Sequence, residues 1–133
     1  MRDSNCVFCK IIEGKIPSYK LYEDENFFAF LDINPISEGH LLIIPKEHEE
    51  YLFDMEDEKY TAIMKLAKNL SAKLKEATKA KKIGLSVEGF GEAHAHIHLI
   101  PINKLGDFDP CKATRAMDNH LSILHKKLLE FFK

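Results

Sequence analysis

The chain has 133 residues, a formal net charge of −2 and 45% hydrophobic residues. That length suits one domain with a proper core, expected over residues 1–133, and that charge argues against a partner held mainly by electrostatics, whether nucleic acid or a membrane surface. No apolar run approaches membrane-spanning length, the first residues lack a secretory apolar stretch, and three cysteines, an odd number, point to a reducing compartment. The expected location is the cytoplasm, with nuclear entry left open.

Taken in chain order, residues 19–23 and 27–32 read as two short strands, and the polar Asp24-Glu25-Asn26 between them predicts a hairpin. Residues 34–39 form a loop, and 40–45 are a third, more buried strand. From 56 to 79, Tyr60, Ile63, Met64, Ala67, Leu70, Leu74 and Ala77 recur at three- and four-residue steps, which predicts one amphipathic helix with its lysines in water. Residues 84–88 and 93–101 are the fourth and fifth strands. A second helix is expected over 113–132, with Met117, Leu121, Leu124, Leu128 and either Phe131 or Phe132 as its stripe. The order β-β-β-α-β-β-α implies an α+β fold, a mainly antiparallel sheet with helices packed on it.

Most of the chemistry lies in His94-Ala95-His96-Ile97-His98. On a strand, residues two apart share a face, so three imidazoles line one side while Ala95, Ile97 and Leu99 take the other. On a helix they would fan over roughly 200°. Three titratable rings side by side serve no packing purpose, which marks them as functional. A single catalytic metal held by all three is a weaker reading, because same-face residues on one strand lie about 7 Å apart, wide for rings converging on one ion.

Cys6-Val7-Phe8-Cys9 is the second signal. Such a pair can chelate a metal, act as a redox couple or be incidental, although the βαβ setting of a thioredoxin-like pair is missing. Zinc needs two further ligands, and His48 with one ring of the triple-histidine segment can supply them. His120 and His125, near opposite faces of the last helix, and Cys111 read as structural or incidental.

His94-Ala95-His96-Ile97-His98-Leu99-Ile100 resembles the His-x-His-x-His-x-x signature of the histidine triad (HIT) family, and the likeness extends over most of the chain. The segment from Cys6 to Ser18 resembles the start of the branch that carries a C-x-x-C. Ala29-Phe30-Leu31-Asp32-Ile33-Asn34-Pro35 and the run from Gly39 to His48 resemble its next two blocks. The resemblance implies a HIT-like sheet of about five strands with one long central helix and a C-terminal helix, and a homodimer whose sheets join into one. It also implies hydrolysis or transfer at the α-phosphate of a purine nucleoside phosphoramidate or dinucleoside polyphosphate, with an AMP- or GMP-like nucleotide as ligand. By position, His96 is the nucleophile that becomes covalently nucleotidylated, and His40 and His98 line the phosphate pocket. Asp32 holds the ribose hydroxyls, and Phe8, Ile11 and Ile33 sandwich the base. His94 goes first to a structural zinc site with Cys6, Cys9 and His48, and supports His96 from there. No organic cofactor is implied.

The segment before the triad departs from the family's commoner pattern. Ser86-Val87-Glu88-Gly89-Phe90-Gly91-Glu92-Ala93 is shorter than the usual glycine-rich loop and lacks its Asn, its Gln and the following hydroxyl. Gly89 and Gly91 offer backbone N–H groups for phosphate, whereas Glu92 brings a negative charge. This departure leaves the leaving group open and motivates a second reading, a nucleotide-binding regulatory module with little turnover.

Overall fold

The computed structural model describes residues 3–133. The hairpin expected near the start forms from β1 (Lys20–Glu23) and β2 (Phe27–Leu31). Asp24 makes its turn: one carboxylate oxygen accepts the N–H groups of Asn26 and Phe27, both at 2.7 Å, so the side chain satisfies donors that a two-stranded ladder leaves open. Strands β3 (Leu41–Pro45), β4 (Lys82–Ser86) and β5 (Ile97–Ile102) complete a five-stranded sheet in the order β1-β2-β3-β5-β4, with every neighbouring pair antiparallel.

Strands β2 and β3 are apolar and buried at every position, and β5 interrupts its apolar run only at His98, so alternation sorts their side chains between two cores. Ala29, Leu31, Leu41, Ile43, Ile97 and Leu99 face a large cluster completed by the helices. Phe28, Phe30, Leu42 and Ile44 face a smaller one completed by α1 (Val7–Ile12). Helix α2 (Asp57–Thr78) buries Ile63, Leu66, Ala67, Leu70, Leu74 and Ala77. It stops where Lys79 takes a left-handed conformation, φ 59°, whose N–H closes on the Lys75 carbonyl; glycine more often fills such a position.

Three of the expected elements differ in their bounds by two residues or more. Strand β4 runs two residues earlier than 84–88. Strand β5 begins at Ile97, so His94 and His96 sit in the segment leading into it; the Ala95 N–H there is held by the Glu49 carbonyl rather than by a strand. Helix α3 is Asp118–Leu129, not 113–132. The residues before it run beside the loop after β2, where the Ala116 N–H reaches the Ile33 carbonyl at 2.9 Å, so tertiary pairing takes backbone that a helix would have used. Met117 therefore precedes the helix and is exposed, while Leu121, Leu124, Leu128 and Phe132 form the buried stripe.

Candidate active site

On the small-core face, α1, the ends of β2 and β3 and the approach to β5 surround a cavity of 630 Å³. The expected residues Phe8, Ile11, Asp32, Ile33, His40, His96 and His98 all line it. Phe8 is pinned edge-on against Phe30, with ring centroids 5.7 Å apart. Ile100, two residues beyond His98, adds to the wall, as does Leu42, which lies opposite His98 in the β3–β5 register. Both could have been found by extending the alternation that singles out the histidines. Gly89 is not in the wall. Its position, at φ 91°, lies against the Tyr51 ring, and Gly91 and Glu92 line the cavity instead.

The first histidine turns away. The His94 Nε2–H donates to the Pro45 carbonyl at 2.9 Å, which leaves its Nδ1 lone pair facing Cys6 Sγ at 3.2 Å and Cys9 Sγ at 3.6 Å. His48 Nδ1 is 3.3 Å from Cys9 Sγ. Zinc bound by thiolates at about 2.3 Å and imidazoles at about 2.0 Å sets sulfur–nitrogen edges of roughly 3.5 Å, so four donors at these separations, all within 4.8 Å of one another, fit a tetrahedral ion. Cysteine Sγ atoms meeting a ring lone pair, with no hydroxyl or carboxylate among them, are also the donor chemistry that zinc prefers. Burial holds His94 neutral, its pKa down at about 4, and raises that of the Cys6 thiol.

The second histidine is the one left with a free nitrogen. The His96 Nδ1–H donates to the His94 carbonyl at 2.7 Å, which fixes the tautomer and puts the lone pair on Nε2. That nitrogen has no hydrogen-bond partner among the described residues. The ring is 7% exposed and is held edge-on by Phe8 at 5.2 Å and by His98 at 4.9 Å. That nitrogen is thus carried at the cavity by a side chain with little freedom to move.

The third histidine ends a relay. The Ile36 N–H donates to His40 Nδ1 at 3.0 Å, so the proton of His40 sits on Nε2. It donates to His98 Nδ1 at 2.9 Å, and His98 is left with Nε2–H as a donor to the cavity. Burial pushes the pKa of His40 down to about 4, against the pull of Asp32, and burial with the neighbouring His96 lowers that of His98. Both are neutral at pH 7, as the relay requires. Asp32 divides its carboxylate: Oδ1 caps the turn by accepting the Asn34 N–H at 2.8 Å, and Oδ2 lies 3.5 Å from His40 Nε2. Asp32, His40 and His98 are close enough together to suggest a second metal site. The proton count argues otherwise, because the His40 nitrogen that would ligate carries the hydrogen that the Ile36 contact places there. Nothing in the sequence around Ile36 signals this control of the tautomer.

Cys111 is exposed in the Pro110–Lys112 turn, and His120 and His125 make surface contacts with Glu38 and the Lys20 carbonyl.

A family model of the HIT domain matches residues 13–105. The chain is 42% identical over 130 residues to adenosine 5′-monophosphoramidase HNT1 of Saccharomyces cerevisiae, covering 96% of this chain and 82% of that one. Among solved structures, a hypothetical histidine triad nucleotide-binding protein of Sulfolobus tokodaii superposes with a TM-score of 0.81 at 32% identity, covering 96% of this chain and 91% of the other. A zinc-bound histidine triad family protein of Mycobacterium smegmatis does so with a TM-score of 0.83 at 27% identity, covering 96% and 93%. With the triad, the C-x-x-C and the five-stranded sheet in agreement, the chain belongs to the histidine triad family.

Proposed function

We propose that this protein is a nucleotidyl hydrolase or transferase acting at the α-phosphate of a purine nucleoside phosphoramidate, through a covalent nucleotidyl-His96 intermediate. The observation that carries this reading is the His96 ring, with its Nδ1–H tied to the His94 carbonyl and its Nε2 lone pair open to the cavity. A neutral imidazole nitrogen is nucleophilic near neutral pH, and the phosphorus–imidazole bond it forms is readily hydrolysed, so one hard step becomes two easier ones. The His98 Nε2–H, set by the relay from Ile36 through His40, donates to a non-bridging phosphate oxygen as charge builds there. Asp32 Oδ2 accepts from the ribose hydroxyls, and Phe8, Ile11 and Ile33 enclose the base. The 42% identity to an adenosine 5′-monophosphoramidase supports the reaction class.

Cys6, Cys9, His48 and His94 hold zinc in this reading. With four protein ligands the ion has no position for substrate, and what it supplies is a tie between the amino-terminal segment and the residues that present His96. The chain is read as a homodimer with one continuous sheet, for which the edge strand β4 is available.

Incubation of the pure protein with adenosine 5′-phosphoramidate tests the proposal. Turnover to AMP that is abolished in His96→Ala is the expected result. Equal turnover by both proteins removes His96 from the chemistry, and tight AMP binding without turnover of any phosphoramidate or dinucleoside polyphosphate establishes the regulatory-module reading instead.

A further inference from the structure

The charges around the cavity are of one sign. Asp32, Glu88 and Glu92 line it, and among the described residues no lysine or arginine does, although the chain carries 19 of those cations. Two of the three acids, Glu88 and Glu92, belong to the connection between β4 and β5. The β4–β5 register pairs Gly84 with Ile100 and Ser86 with His98. Residues directly opposite in an antiparallel pair share a face, and Glu88 follows Ser86 by two residues, just past the end of the ladder where Ser86 meets His98. Glu88 also bears electrostatically on His98, pulling its proton affinity up against burial. Asp32 follows β2, on the other side of β3 and β5 in the sheet order. Asp32 thus reaches the cavity from the β2 side of the sheet, and Glu88 and Glu92 reach it from the connection between β4 and β5 on the other.

A dinucleoside polyphosphate would bring several further negative charges to that second wall, with no side-chain cation to receive them. A departing amine has the opposite need. In the overall reaction the phosphorus–nitrogen bond breaks and a phosphorus–oxygen bond forms to water. Both protons of that water end on the amine nitrogen, which leaves as an ammonium ion beside a nucleoside monophosphate dianion. Carboxylates near the leaving group stabilise that charge, and they do more for a leaving group already cationic in the ground state.

We propose that Glu88 and Glu92 are specificity-determining residues that select a cationic leaving group, so that the preferred substrates are nucleoside 5′-phosphoramidates of aminoalkyl amines, in which a second, protonated nitrogen reaches this acidic wall. The inference rests on the phosphoramidase reading above and narrows its substrate class.

The test compares two adenosine 5′-phosphoramidates of equal length, one bearing an aminobutyl group on nitrogen and one bearing a pentyl group, with the unsubstituted phosphoramidate as a control. At low salt the full-length protein is expected to favour the aminobutyl compound by about tenfold in kcat/KM, the worth of one or two partly exposed ion pairs, and high salt narrows the ratio by screening. In Glu88→Gln/Glu92→Gln the ratio falls to about twofold or less. Both compounds are measured on the same preparation, so any loss of folded protein cancels in the ratio. The single variants and the salt dependence of the unmodified protein give the same readout should the double variant fold poorly. A ratio near one in the unmodified protein, or a tenfold ratio that survives both substitutions, overturns the proposal. Failure to consume even the unsubstituted control overturns the phosphoramidase reading, and this inference with it, and is distinguishable from the other outcomes.

Discussion

The two faces of the sheet are made from the same strands and do different work. Against α2 and α3, Leu41, Ile43, Ile97 and Leu99 pack hydrocarbon on hydrocarbon and are at most 2% exposed. One residue along each strand, the side chains point to the opposite face, where Leu42 and Ile100 support His98 and the approach to β5 adds His96. The first face can be stabilised by apolar area alone. The second has to bury imidazoles, and their other ring nitrogens are each assigned a donor or acceptor, leaving the His96 Nε2 and the His98 Nε2–H without a partner among the described residues. The difference shows how one apolar run can serve both stability and chemistry: the large core holds the strands in register, and that register fixes the positions of groups on the reactive side.

Substitutions at adjacent residues should separate the two roles. His96→Ala is expected to lower turnover of adenosine 5′-phosphoramidate by about 1,000-fold or more while its thermal midpoint stays close to that of the parent protein; a large loss of stability would mean that the ring is a packing element. Removal of one cysteine tests the tie between the amino-terminal segment and the residues that present His96. Cys9→Ser should take metal content from about one zinc per chain to about none and lower the thermal midpoint, whereas loss of zinc only on mutating His96 would move the metal into the cavity. Ile97→Ala, one residue on and facing the large core, should cost about 2–4 kcal/mol in denaturant unfolding and leave kcat/KM per folded molecule largely unchanged. A catalytic defect of comparable size would show that the faces are coupled.

Acid should weaken the reactive face first. His40 and His98 are neutral when folded because burial lowers their pKa values, that of His40 to about 4, whereas in the unfolded chain they bind protons below their ordinary value near 6.5. The unfolded state therefore takes up more protons between those values, so this contribution to stability is present above about pH 6.5 and is lost as the pH falls through about 4. Thermal midpoints measured across that window should decline, with a shallower slope in His40→Gln. The smallest effect belongs to the helix behind the large core, where Lys79→Gly should relieve the left-handed conformation and raise stability by about 0.5 kcal/mol. A loss there would mean that the lysine side chain contributes packing.

Much of this site is legible in the residues themselves. The spacing of His94, His96 and His98, the C-x-x-C and the apolar strands are local patterns, and local patterns map directly onto faces because side-chain direction repeats every two residues on extended chain. The alternation predicts correctly that Ala95, Ile97 and Leu99 pack away from the site. The position of α3 was not legible, since the residues before it could pass for helix until the Ile33 carbonyl takes the Ala116 N–H. The same is true of β5, expected from 93 but starting at Ile97.

Sequence alone thus determined the fold class, the family resemblance and the cluster of chemistry-bearing side chains, because these depend on residue type and short-range periodicity. Tertiary structure decided what each histidine does. Whether a ring nitrogen is donor, acceptor or free depends on which distant backbone group meets it: the Pro45 carbonyl for His94, the Ile36 N–H for His40. Those meetings are set by how strands and loops far apart in the chain pack together. Tertiary structure also brought Gly91 and Glu92, rather than Gly89, to the cavity wall, and so turned a departure in a short loop into a statement about the charge that the site presents to its substrate.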